Sequence, residues 1–168
     1  MIRLAAGGDV PDLNKLINSA YRGEASKQGW TTEADLLGGT RTDEDSLDAL
    51  IKKKDSVVLC FVAGSAIIGC VHLQKQGDKM YLGMLTVSPA LQAKGLGKKL
   101  LLASEEYARE QGSKGVIMTV ISVRHALIEW YERRGYKLTG KTKPFPSDDP
   151  RFGVPKQKLE FVVMEKYF

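Results

Sequence analysis

The residues best suited to chemistry lie between Gln92 and Lys98, where the sequence reads Gln-Ala-Lys-Gly-Leu-Gly-Lys just after Val87-Ser88-Pro89. A strand-like run ends, a proline breaks it, and a glycine-containing turn opens a helical pattern. The first amides of a helix have no internal partners and sit at the positive end of its dipole. Gly95 and Gly97 lack the Cβ that would keep an oxygen-rich ligand off those amides. Lys94 and Lys98 add charge, and the whole predicts a cradle for a phosphate or pyrophosphate. The spacing is not that of a P-loop, which wants four residues between its glycines. It is not a dinucleotide fingerprint either, because three strand-like runs precede it.

The elements that must hold this turn follow from periodicity. Ile2–Ala6 reads as a short strand, and Asp9 opens a helix through about Arg22, with Leu13, Leu16, Ile17 and Ala20 on one face. Gly23–Thr42 has no sustained period and reads as a long loop, a kind often functional in compact domains. A short helix follows to about Lys53. Val57–Ala63, Ala66–Gln74 and Lys79–Val87 form an antiparallel meander with turns at Gly64-Ser65 and Gly77-Asp78. Gly95–Gln111 is helical, Gly115–Ile121 is a strand buried on both faces, Arg124–Arg134 is helical, and Tyr136–Lys143 and Leu159–Met164 are strands. That order predicts an α+β fold whose mixed sheet has one parallel crossover.

The chain has 168 residues, a size that suits one domain spanning 1–168. Its apolar fraction of 43% and charged fraction of 27% are those of a water-soluble protein, and no run approaches a membrane span. The start is too short and too soon acidic for a secretory signal, so a cytoplasmic location is expected. Cys60 and Cys70 lie on neighbouring strands and read as buried free thiols. The net charge of +5 is uneven. Between Glu24 and Asp48 seven acids face two basic residues, leaving about +10 on the rest. That suits an anionic ligand on one side and a cationic one on the other. A nucleic-acid binder would want aromatics among its basic clusters, so neither nucleic acid nor membrane is expected as a partner.

At these residues the chain resembles the GNAT superfamily of acetyl-CoA-dependent N-acetyltransferases. The motif Q/R-x-x-G-x-G/A after V-x-P is matched by Gln92–Gly97 after Val87-Ser88-Pro89. A second motif is matched by Trp130-Tyr131-Glu132-Arg133-Arg134-Gly135-Tyr136. The order of elements agrees over roughly Ile2 to Met164. The resemblance implies a three-layer α/β/α fold whose mostly antiparallel sheet splays at one parallel pair. It implies acetyl-CoA as co-substrate, no metal, and direct attack by an amine. Leu85, Thr86, Val87, Gln92, Ala93, Lys94, Gly95, Leu96, Gly97 and Lys98 would bind the cofactor, with an oxyanion donor on the backbone near Leu85–Val87. Arg124, where relatives often have Asn, would contact cofactor phosphates or a substrate carboxylate, or form a surface salt bridge.

Tyr131 stands at the family's general-acid position. The strand acid of many relatives is replaced by Gly83 and Met84, which leaves Glu33, Glu24, His72, His125 or a water chain as the base. Glu33, following Gly29-Trp30-Thr31-Thr32, ranks first. Ala20–Arg41 and Lys143–Pro155 would wall the acceptor site, with Tyr21, Glu24 and Trp30 as contacts. The acids of the first segment favour a cationic or aromatic amine, small-molecule or peptide. A homodimer through the C-terminal strands is the family expectation. An acyl-CoA-binding regulatory module without turnover is the alternative.

Overall fold

The computed structural model describes residues 1–22, 32–34, 36–38, 41–92, 94–145, 154–156 and 158–168. Glu24, Trp30 and Ala93 lie outside them. Strand β1 is Ile2–Leu4 and helix α1 is Val10–Tyr21, whose Leu13, Ile17 and Ala20 face inward as their spacing requires. Asp9 does not cap α1 with its side chain. Gly7–Asp9 forms a 3-10 turn, and the carboxylate turns back to accept from the Ala6 N–H at 2.8 Å and to pair with Arg3. Asp43 does cap the next long helix, α2 (Glu44–Lys52), accepting from the Ser46 N–H at 2.7 Å. Between them lies β2 (Leu37–Gly38).

The meander is β3 (Ser56–Ala63), β4 (Ala66–Gln76) and β5 (Lys79–Val87). Helix α3 (Leu96–Glu110), strand β6 (Gly115–Ile121), helix α4 (His125–Glu132) and strands β7 (Lys137–Pro144), β8 (Val154–Pro155) and β9 (Glu160–Tyr167) complete the chain. Seven strands form one sheet in the order β1-β3-β4-β5-β6-β9-β7, and within it β5–β6 is the parallel pair. The other two strands, β2 and β8, make a small antiparallel ladder of their own.

Both sheet faces are covered, giving the expected three layers of an α+β fold. On one face α1 and α2 seal a core of Leu13, Ile17, Leu47, Val58, Cys60 and Cys70. On the other, α3 and α4 seal Leu73, Met80, Leu100, Leu101, Val116 and Met164. Cys60 and Cys70 stand directly opposite each other on β3 and β4, free and buried. Burial pushes the two thiols up to about 11 and about 12.

The sheet splits in its middle. β5 pairs with β6 only from Lys79–Tyr81 against Gly115–Ile117. The cause is one extra residue in β5. Cys70 lies opposite Thr86 and His72 opposite Gly83, so Met84 and Leu85 together oppose Val71. Met84 takes a left-handed φ of 52°, and such a bulge bends its strand and sharpens the twist. Past the split, three β5 carbonyls accept from side chains: Leu85 from Tyr21 Oη, Met84 from Thr86 Oγ1, and Val87 from Gln92 Nε2.

Candidate active site

The glycine turn and the split strand bound one cavity of about 190 Å³. Helix α3 begins at Gly95, which caps it in the left-handed region at φ 79° and would meet nothing within 4 Å if it carried a Cβ. A Cβ there would project into open space. A Cβ added at Gly97 would lie 3.5 Å from the Trp130 ring. Gln92, Leu96, Lys98, Leu85, Val87, Tyr21 and Tyr131 line the same cavity. Of the other residues expected at the cofactor, Lys94 is exposed beside the turn, and Thr86 is buried with its hydroxyl turned to Met84 O.

Four further residues of this cavity, Leu91, Leu127, Trp130 and Arg134, are not among the site residues the sequence singles out. The Arg134 guanidinium lies 3.9 Å over the Trp130 ring and donates to the Trp130 carbonyl at 2.9 Å, while its buried Nε has no hydrogen-bond partner. The i, i+4 spacing of Trp130 and Arg134 was the available signal.

Tyr131 is set by its aromatic neighbours. Trp130 meets it edge-on at 5.0 Å and Tyr136 at 5.7 Å. Tyr136 is anchored by its hydroxyl donating to Glu105 Oε2 at 2.9 Å, which ties the end of the Trp130–Tyr136 motif to α3. Burial pushes the Tyr131 phenol well above its ordinary range. Tyr21, donating to Leu85 O, is pushed up to about 12, also by burial.

A second cavity of about 230 Å³ opens on the far side of Tyr131. It shares Tyr21, Leu85, Leu127 and Tyr131 with the first, so the two meet where β5 leaves β6. Its walls include the two segments that sequence order keeps far apart. Tyr21, Arg22, Glu33 and Arg41 come from the first, and Phe145 from the second. The β2–β8 ladder joins those segments, and Lys156 reinforces it by donating from its N–H to Leu36 O and from Nζ to Ala34 O.

Glu33 is buried in this wall, its N–H donating to Tyr21 O at 2.7 Å. Its Oε1 accepts from Arg22 Nε at 3.1 Å and Nη2 at 2.9 Å, and its Oε2 from Arg124 Nη1 at 3.3 Å. Arg124 thus lies in the second cavity, on the side away from the glycine turn. The histidines lie elsewhere. His72 is buried in β4, bonded to Ser56 Oγ at 2.8 Å, and burial pushes it down to about 4. His125 is exposed at the start of α4. Neither lines either cavity.

The sequence matches the Acetyltransferase (GNAT) family over residues 13–136, about three quarters of the chain. It is 33% identical over 76 residues to a Xenopus tropicalis protein called "Probable N-acetyltransferase 14", covering 44% of this chain and 37% of that one. The chain therefore spans little more than a third of that curated relative. Among solved structures, the ribosomal-protein-alanine N-acetyltransferase of Brucella melitensis superposes with a TM-score of 0.74 at 20% identity, over 100% of this chain and 99% of that chain. The protein yncA of Salmonella typhimurium, solved with its cofactor acetyl-CoA, gives 0.71 at 21% identity over 99% and 92%. No helix among the described residues is long and apolar enough to cross a membrane. With the family match spanning most of its length, this chain belongs to the GNAT acetyltransferase family.

Proposed function

We propose that the chain transfers an acetyl group from acetyl-CoA to an amine, with both substrates held at once on opposite sides of Tyr131. The observation that carries this reading is the meeting of two cavities at the split between β5 and β6. The glycine-turn cavity fits the diphosphate of acetyl-CoA. The space that a Gly95 Cβ would fill is open, the start of a 15-residue helix points into it, and Lys98 and Arg134 supply cations. The pantetheine arm would lie along Leu85–Val87, where the strand has left its neighbour.

The acceptor nitrogen attacks the acetyl carbon, and a main-chain N–H near Leu85–Val87 donates to the oxyanion. The C–S bond then breaks, and the sulfur leaves with its electron pair. Tyr131 donates its hydroxyl proton to that sulfur, and the amine gives its extra proton to water. The buried phenol is a weak acid, but a thiolate in the same dry pocket is also more basic than in water, so the two stay matched.

Glu33 serves in this reading as counter-charge to Arg22 and Arg124 rather than as the base, because both its oxygens are engaged. A separate base is not required. The acceptor cavity presents Arg22, Arg41 and Arg124 against Glu33, and like charges disfavour an ammonium there, so the amine binds as the free base.

The test is acetyl-CoA calorimetry combined with thiol release over an amine panel, on the protein and on Tyr131→Phe. Amine-dependent release that falls about a hundredfold in Tyr131→Phe supports the reading. Tight acetyl-CoA binding without release from any amine would leave a regulatory acyl-CoA-binding module.

A further inference from the structure

The acids between Glu24 and Asp48 favour a cationic or aromatic amine, but the described walls of the acceptor cavity carry net positive charge. Asp43, Glu44, Asp45 and Asp48 belong to α2 and its cap, away from the cavity. Among the described residues lining it there are three guanidiniums and one carboxylate, Glu33. Arg22 spends Nε and Nη2 on that carboxylate. Arg124 offers it a single Nη1 donor at 3.3 Å and keeps the rest of its planar fork.

Arg41 pairs with no carboxylate of the described residues. Its placement is nonetheless built. The Asn18 side chain of α1 accepts from Arg41 N–H at 2.7 Å and from Thr42 N–H at 3.1 Å, while its amide donates to Thr42 O at 3.1 Å. The guanidinium then lies 5.8 Å over the ring of Tyr21, which itself stands at the junction of the two cavities. Two guanidinium forks with free donors thus line one cavity. An oxygen anion is the complement such donors take most strongly. Elsewhere the same cavity is apolar, with the Phe145 and Phe161 rings 5.2 Å apart and tilted by 37°, beside Ile121.

We infer that the acceptor is an amino acid-like molecule whose carboxylate is held by Arg41 and Arg124 and whose apolar side chain packs on Phe145 and Phe161. This rests on the acetyl-transfer reading and narrows it to a substrate class. The two ends of such a molecule have separate tasks. The carboxylate offsets part of the wall's positive charge, and the amine, kept unprotonated by what remains, faces Tyr131 and the acetyl carbon.

The experiment compares phenylalanine, leucine and methionine with their carboxamides and decarboxylated amines, by acetyl-CoA-dependent thiol release. The carboxylates should give kcat/KM higher by roughly 10- to 100-fold, the range for losing hydrogen bonds to a charged group. Arg41→Gln should lower kcat/KM for the amino acids by about tenfold with acetyl-CoA affinity unchanged, and Arg41→Lys should recover part of the loss. In parallel, N-acetylphenylalanine and its carboxamide are titrated calorimetrically into the protein saturated with CoA. Selective binding of the carboxylate supports the inference independently of turnover. Amides, simple amines or polyamines reacting as well as the amino acids would overturn it while leaving acetyl transfer intact. Equal binding of the two acetylated compounds would overturn it as well. If acetyl-CoA binds and no acceptor of any kind reacts, the transfer reading fails, and the calorimetric pair alone decides the carboxylate site.

Discussion

Tyr131 reaches the junction of the two cavities from a shell of Trp130 and Tyr136, and its phenol keeps its proton well above the ordinary value of 10. The folded protein should therefore show no alkaline loss of kcat from this group below about pH 10. The acidic limb should instead track the acceptor's own amine. A pH–rate profile checks both limbs, and Tyr131→Phe should keep the acidic limb while losing about a hundredfold in kcat. Glu33 makes a different prediction. Replacing it with Gln removes the carboxylate charge that pairs with buried Arg22 at 2.9 Å, which should cost about 3 kcal/mol of stability, read as a lower urea midpoint. A variant that kept wild-type stability but lost turnover would restore Glu33 to the role of base. Tyr131 and the glycine turn were legible as candidates because each is a local motif. The Arg22–Glu33–Arg124 cluster was not, because its members are brought together from positions 11 and 91 residues apart.

The glycine turn works as an element because α3 starts at it. Gly97→Val should fold, since the new Cβ makes ordinary contacts with Trp130 and Val87. Its branched carbons would nevertheless intrude on the cavity, and acetyl-CoA affinity should fall at least tenfold by calorimetry, with the circular dichroism spectrum unchanged. A second prediction concerns β4. His72 is neutral in the fold, pushed down to about 4, whereas the unfolded chain takes up its proton below about 6.5. Its stabilisation is therefore complete above pH 6.5 and lost as pH falls toward 4, by about 2–3 kcal/mol. Urea midpoints at pH 7.5 and 5 should differ by more in the wild type than in His72→Gln. The meander, α3 and β6 follow the sequence closely, because period and turn residues agree there. The bulge at Met84–Leu85 had no such mark, since Gly83-Met84-Leu85 reads as ordinary strand and the extra residue appears only against β4. Asp9 misled for a related reason: a cap and a 3-10 turn use the same residue types.

At the scale of the whole molecule the division of charge and space decides the order of events. In the proposed reading one cavity takes the nucleotide and the other the acceptor, and the two cavities share four lining residues. Initial-rate plots with both substrates varied should therefore intersect, and no acetylated protein should accumulate. Cys60 and Cys70, the two thiols of the chain, lie beneath α1 and line neither cavity. Parallel plots would contradict the ternary complex. The split sheet has another consequence. It sets two strand margins facing each other in the interior of the fold, where most proteins allow such margins only at the periphery, and unpaired backbone recruits foreign chains. Tyr21, Thr86 and Gln92, by occupying the carbonyls of Leu85, Met84 and Val87, act as gatekeepers against that hazard. The split can thus stay open inside the sheet without offering those three carbonyls to a foreign strand.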